Sequence, residues 1–518
     1  MRTSPRSTVR FARLAIVIAL GAGSVAAGEP IVELIAGDAT PGNALGNSTA
    51  VSGTIAIAGA HQDDDNGTHS GSAYLFDVTT GQELHKLLPD DGWMFDQFGF
   101  SVAIDGNVAL AGAYTDDDEG ESTGAVYVFD VTTGDQDFKL VPDDGQAGDF
   151  FGFASAVSGN IAVIGAPGDD DLGSGAGSAY LFDVTTGLEL FKLNANDGTA
   201  GDVFGNSVAI DGNLVIVGAP GKSSSQGAAY LFDATTGLQA DKLTASSPQP
   251  NAFFGRAVGV SGNRAVVGAP FATFIISSRG LAYIFDTNTG NQLFQLMASD
   301  ASSFDRFGGS AAISGGKAIV GASDSEPFGF LSGSAYVYDV ATGQQESKLT
   351  STDATAGELF GHSLALSGER AVIGSVAGFG GVINSGTAHA FELSDAIWDN
   401  LGNGSIGVDG IPSLLGIGDL SPRSDLCLAL GRAEPVSPTV LILGLSSLFA
   451  PAKGGIVVPN PDVIIGGFAT DANGQLVFPA TFPSGVPSGI PLYMQFWVED
   501  SFGFFPLAAS NGITKTTP

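Results

Sequence analysis

The sequence predicts an all-β fold, a seven-bladed β-propeller closed by its own N-terminal strand and followed by a small β-sandwich. Three observations predict it: a sevenfold repeat, four short strands in each repeat, and a repeat left incomplete at one end that the other end completes. Phe98-Gly99, Phe151-Gly152, Phe204-Gly205, Phe254-Gly255, Phe307-Gly308 and Phe360-Gly361 recur at spacings of 53, 53, 50, 53 and 53 residues. Leu45-Gly46 stands 53 residues before the first of them, which makes seven units. A period near 50 residues is the mark of a repeat architecture and has to be read before any local motif.

The second unit shows the strands. Ser101–Ile104 is short and apolar, and Asp105-Gly106-Asn107 is a hairpin turn. Val108–Ala111 returns, an acidic loop follows, and Ala125–Phe129 is the third strand. Asp130-Val131-Thr132-Thr133-Gly134 turns the chain again, and Asp137–Leu140 is the fourth. Four antiparallel strands per unit make a propeller blade. Fourth-strand segments begin at Ile31, Glu83, Asp137, Glu189, Gln239, Gln292 and Gln345, so the first precedes every other strand while the last unit ends at Phe391 without one. Ile31–Leu34 is therefore expected to complete the seventh blade and remove the exposed edges.

Composition agrees with an all-β repeat and bounds the function. The chain has 518 residues and 75 glycines, roughly twice the usual share of about 7%. Its 54 acidic and 20 basic residues leave a net charge of −34, which repels nucleic acid and anionic membrane and attracts cations or basic partners. Arg2, Arg6, Arg10 and Arg13, the apolar run Leu14–Ala22 and the small residues Val25-Ala26-Ala27 form a secretory signal over residues 1–27. No later stretch is long and apolar enough to span a membrane as a helix, so a secreted, periplasmic or cell-surface location is expected. The single cysteine, Cys427, has no intramolecular partner and reads as a buried, inert thiol.

Phe-Gly followed a dozen residues later by Gly-Ala-Pro (Gly165-Ala166-Pro167, Gly218-Ala219-Pro220, Gly268-Ala269-Pro270) resembles the FG-GAP repeat of integrin α chains and bacterial surface proteins. The resemblance covers residues 31–393 and implies the same seven-bladed propeller. In that family calcium commonly sits in an Asp-rich loop between the first two strands. Here those positions read Asp105-Gly106-Asn107, Ser158-Gly159-Asn160, Asp211-Gly212-Asn213 and Ser261-Gly262-Asn263, too short and too poor in carboxylates for a cage of six to eight oxygens. The family's calcium sites are not carried over.

Acidic triplets lie in a different loop, between strands two and three: Asp63-Asp64-Asp65, Asp116-Asp117-Asp118 and Asp169-Asp170-Asp171. Blade four has Lys222-Ser223-Ser224-Ser225 there. The loops leading into the blades are acidic too, at Asp90-Asp91, Asp143-Asp144, Asp149, Asp197 and Asp202, and should emerge on the same face. Asp63, Asp65, Asp116, Asp118, Asp169 and Asp171 are thus candidate Ca²⁺ ligands, since a hard cation suits clustered carboxylates. Three solvated, mutually repelling loops are the competing reading, and a basic partner docked on that sector is a third. The recurring tyrosines Tyr74, Tyr127, Tyr180, Tyr230, Tyr283 and Tyr336 read as packing between blades, and the Asp-x-x-Thr-Gly turns as structural.

The expected function is an exported, non-catalytic binding or adhesion-type propeller that presents an acidic loop face to a protein or glycan ligand or to Ca²⁺, as a monomer. No nucleophile elbow, zinc motif or phosphate-binding loop is present, and the five histidines lack ligand spacing. The Tyr-x-Phe-Asp-x-x-Thr-Gly turns also resemble those of quinone-cofactor propeller dehydrogenases, although Trp93 is the only tryptophan in the blades where that family typically carries one in its repeats. A propeller oxidoreductase and a purely structural cell-envelope protein are the alternatives. After Leu393 residues 394–403 read as a linker, and 404–518 as a β-sandwich that resembles a C-terminal module of planctomycete-like exported proteins.

Overall fold

The structure, a computed structural model, describes residues 32–393 apart from 275–276, 328, 352–355 and 379–384, and beyond them the backbone of strand segments alone. The signal segment 1–27 and the side chain of Cys427 lie outside the described residues, and of the expected linker 394–403 only Asp399–Gly402 is described, as a strand. Gly28–Leu393 forms one compact unit and holds seven four-stranded antiparallel sheets, the expected blades. In blade two the strands are Ser101–Asp105, Val108–Ala113, Ala125–Asp130 and Gln136–Leu140. Val32–Leu34 pairs with Thr387–Glu392 (Val32 opposite Ala390, Leu34 opposite Ala388), so the N-terminal strand closes blade seven.

Burial explains the strand sequences. Strands two and three are covered on both faces by neighbouring blades, so they read as apolar runs such as Val215-Ile216-Val217, buried throughout. Each fourth strand is the outer edge, and its burial alternates down to a last buried leucine, as in Gln136–Leu140. The cores lie between blades. Leu75 and Leu87 of blade one pack with Phe98, Ala109, Tyr127 and Phe129 of blade two. Phe98 links the two: its backbone bridges Gly71, while its ring meets Tyr127 at 5.5 Å and Phe129 at 5.8 Å.

The first strands (Ser48–Ser52, Ser101–Asp105, Ala154–Ser158, Ser207–Asp211, Ala257–Ser261, Ala311–Ser314 and Phe360–Ser367) stand side by side around the axis. The glycine of each Gly-Ala pair faces the Phe-Gly glycine of the next blade at backbone contact. A Cβ on Gly165 would lie 1.9 Å from the carbonyl oxygen of Gly205, and one on Gly374 would lie 2.0 Å from that of Gly46. At the other end, each hairpin glycine N–H is held by the preceding blade. Gly106 donates to Ser52 Oγ (3.1 Å), Gly159 to Asp105 Oδ2 (2.7 Å), and Gly53 closes the circle on Ser367 Oγ (3.5 Å). The short Asp-Gly-Asn and Ser-Gly-Asn turns thus hold blade to blade.

In the second unit, Ser394–Pro518, the described segments are all β-strands. Asp399–Gly402, Gly512–Thr516, Pro491–Glu499, Pro438–Gly444, Val463–Ala469 and Leu507–Ala509 share one sheet. Ser413–Ile417, Asp425–Gly431 and Leu476–Thr481 form another, and Ser447–Ala452 with Gly455–Pro459 a hairpin.

Gly165→Ala should cost about 3 kcal/mol or more, because backbone, not a flexible side chain, occupies the space. Urea unfolding of the single variant measures it, and a change below about 0.5 kcal/mol would contradict the contact.

Candidate functional site

The acidic loops do converge, and what they converge on is a lysine. In blade two the third strand carries Tyr127 and the fourth carries Lys139 directly opposite it. Lys139 Nζ lies 2.8 Å from Asp91, 3.1 Å from Asp116 and 2.6 Å from Asp118. Blade one repeats this with Lys86 at 2.6 Å from Asp38, 3.4 Å from Asp63 and 2.5 Å from Asp65. Blade three repeats it with Lys192 at 2.7 Å from Asp144, 2.9 Å from Asp169 and 2.6 Å from Asp171. Each ammonium also sits 5.1 to 5.3 Å above its tyrosine ring, within cation–π range.

The tyrosine supplies the floor of the cage. Tyr127 Oη lies 2.8 Å from Asp91 and 2.7 Å from Asp116, and Tyr74 Oη lies 2.8 Å from Asp38 and 3.0 Å from Asp63. A phenol has one proton, so it donates to one carboxylate at a time and the ammonium must serve the other. Burial, then the neighbouring aspartates, push the Tyr127 phenol well above its ordinary range. Burial alone would lower Lys139, but its bonds to Asp118 and Asp91 outweigh it and raise the ammonium.

Asp63, Asp116 and Asp169 are buried, while Asp65, Asp118 and Asp171 are exposed and lean inward to the lysine. The middle residues Asp64, Asp117 and Asp170 face solvent. Neither expectation for the triplets describes this whole arrangement. The loops are not simply solvated, and the point where a cation would sit holds a lysine Nζ. Among the described residues no group of three or more His, Cys, Asp or Glu side chains is arranged to hold a metal ion.

In blades two and three a second carboxylate approaches the cage from the loop before the blade. Asp96 is buried and accepts the N–H of Trp93 at 2.6 Å. Burial first, and then the nearby Asp116, Asp117 and Asp118, push its pKa up to about 7. Asp149 and Asp305 are raised for the same first reason. Blade one has Asn43 at that place, donating Nδ2–H to Asp63 Oδ2 at 2.9 Å, which is the bond a neutral Asp96 could make in blade two.

The cage then changes around the ring. In blade four Lys222 replaces the inner aspartate and pairs with Asp202 at 2.7 Å, while Lys242 holds Asp197 at 2.6 Å. In blade seven His389 stands opposite Glu33 where tyrosine faces lysine in blades one to four and six, with Glu358 3.7 Å from its Nε2. His61 is buried against Phe100 and held near pKa 4 by burial, with His362 adding to the effect, while His69 packs on Phe95. The tyrosines do pack between blades as expected, with the hydroxyl as an added polar handle. The lysines were missed, although Lys-Leu recurs at Lys86, Lys139, Lys192, Lys242 and Lys348 in a chain with few basic residues.

A seven-bladed propeller with structural charge cages on its loop face is the class these features define. The model of the FG-GAP repeat matches residues 31–76, 82–129, 135–182, 189–232, 238–285, 291–338 and 344–391, seven segments that each run from one blade's fourth strand through the first three of the next and together cover more than half of the chain. The protein belongs to the FG-GAP repeat family. No curated protein matches it. No helix among the described residues is long and apolar enough to cross a membrane.

Lys139→Met leaves three carboxylates without their cation and should cost about 2–3 kcal/mol after allowance for solvent at the outer two. Asp117→Asn, at the exposed middle position, should change stability by less than about 0.5 kcal/mol in the same denaturation experiment. Asp96 is raised in the folded state, so the stability it contributes is whole below about pH 4 and is lost as pH rises through about 7. Asp96→Asn should therefore flatten that part of the stability–pH curve, with the variant gaining on the parent between pH 5 and 8.

Proposed function

We propose that this protein is an exported, non-catalytic binding or adhesion-type propeller whose loop face over blades one and two docks a basic segment of a protein partner. One observation carries this reading. Phe95 is 54% exposed and adopts φ +71°, at a place where blades one, three, four and seven have Gly42, Gly148, Gly201 and Gly357. A left-handed conformation costs a side chain about 1–2 kcal/mol, and the core receives nothing in return. Trp93, 63% exposed, and Met94, 44% exposed, stand beside it. The same loop lies against the first acidic triplet: Phe95 N–H donates to Thr68 at 2.8 Å, and His69 packs on the Phe95 ring. Exposed aromatics next to the exposed carboxylates of Asp64 and Asp117 suit a partner with both cationic and apolar groups. Calcium has no part in this reading, because the lysines supply the positive charge that would hold the loops.

Basic peptides immobilised as a panel should capture the mature protein, more weakly as salt rises. Trp93→Ala with Phe95→Gly should weaken capture at least tenfold and leave the melting temperature unchanged or higher. Ca²⁺ and chelator should leave both readings alone. Capture on glycans and not on basic peptides would change the partner class, and capture on neither would point to a structural role. A Ca²⁺-specific rise in melting temperature, lost when Asp65, Asp118 and Asp171 become Asn, would return those residues to metal binding.

A further inference from the structure

The lysine cage is complete in blades one to three, absent from blade five and half-built in blade six. In blade five Ser247, Ala252, Ala272 and Gln295 stand where blade two has Asp91, Asp96, Asp116 and Lys139, so cation and anions are lost together. Blade six breaks that rule. It keeps Tyr336, Lys348, Asp300 and Asp305, but Ser325 and Pro327 replace the inner and outer aspartates. Lys348 Nζ lies 2.6 Å from Asp300 and pairs with no other carboxylate among the described residues. Its side chain is 27% exposed, against 17 to 20% for Lys86, Lys139 and Lys192. A cavity of about 650 Å³ opens at this place, lined by Phe304, Arg306, Ser325, Pro327, Tyr336 and Lys348 among others.

We infer that the blade-six cavity binds a carboxylate on a short stem, as on an aspartate side chain, in the place Asp116 and Asp118 occupy in blade two. The protein displays the bound geometry three times over: beside the aspartate of the incoming loop, an inner and an outer carboxylate meet on a lysine Nζ, the inner one also on a tyrosine hydroxyl. Blade six presents the same lysine and tyrosine. The local charge permits it. Asp324 is taken up by Arg306 at 3.0 Å, Asp300 by Lys348, and burial pushes Asp305 toward its neutral form. Glu326 lies exposed at the rim. Blades two and three already hold an inner aspartate beside Asp96 and Asp149, the counterparts of Asp305. The mouth is built for something larger than the acid. Phe304, 73% exposed, adopts φ +72° at another of the places where four blades use glycine, and Phe330 beside it is 68% exposed. These rings offer apolar contact to whatever carries the carboxylate, either an acidic protein segment or a free small acid.

N-acetyl-aspartate amide, with its asparagine counterpart as the neutral control, is titrated calorimetrically into the protein at constant ionic strength. One equivalent of the aspartate compound should bind, and the asparagine compound at least tenfold more weakly. Lys348→Met should abolish binding. Ser325→Asp with Pro327→Asp, which rebuilds the cage in place and retains Lys348, should weaken binding at least tenfold without lowering the melting temperature. A heptapeptide with one aspartate between leucines identifies the source. Tighter binding than the blocked amino acid, lost in Phe304→Gly, means a protein segment, and equal binding means a small acid. Equal binding of the aspartate and asparagine compounds, no heat at tens of millimolar ligand, or unchanged binding after Ser325→Asp would overturn the inference. None of these outcomes bears on Trp93 and Phe95, whose capture experiment stands separately.

Discussion

Everything in the propeller depends on how closely one blade's backbone approaches the next. The Gly-Ala glycine of each blade lies against the Phe-Gly carbonyl of its neighbour, at a separation that leaves no room for a Cβ. That contact sets the spacing of the first strands around the axis. With the spacing set, the Phe-Gly ring reaches the tyrosine and phenylalanine of its own blade while its backbone bridges the blade before. The inter-blade cores follow from it, as does the alignment of the loops into a shared face.

The cost of that alignment is electrostatic. Bringing the loop into each blade beside its strand two–three loop places several aspartates within a few ångströms, in a chain that already carries 34 net negative charges. One half-buried lysine per cage offsets this, and the tyrosine floor takes up the remaining acceptor. The pairing is worth less as net stabilisation than as protection against leaving a carboxylate buried alone. This explains why the cage is lost whole in blade five, where Gln295 replaces the lysine and the acids go with it. It explains why Lys222 in blade four finds its own acid in Asp202. Blade six, with the lysine kept and two acids gone, is the one cage among these whose charges are incomplete within the chain.

Strain on the loop face follows a similar pattern. The turn before each Phe-Gly pair needs a left-handed residue, and most blades supply glycine. Phe95 and Phe304 accept the penalty and then leave their rings in water. Because folding alone gains little from this, the two positions mark surface that serves contact with something outside the chain.

The repeat, the strand count, the tight turns and the closure by Val32–Leu34 could all be read in order along the chain, because blade formation is a local, periodic matter. Alternation at the edge strand, apolar runs in the covered strands and glycine at fixed offsets are each written within a dozen residues. The cages were not legible in the same way. Lys139 gathers Asp91, Asp116 and Asp118 from two separate loops, and which charges meet is decided only when the strands between them pair. Read alone, three consecutive aspartates suggest a metal or a solvated loop. Tertiary packing buries the first, ties the exposed third to the lysine and leaves the second facing solvent. The sequence by itself determined that seven units would close into a ring; the folded ring alone decided which of its charges are spent inside and which are left to bind.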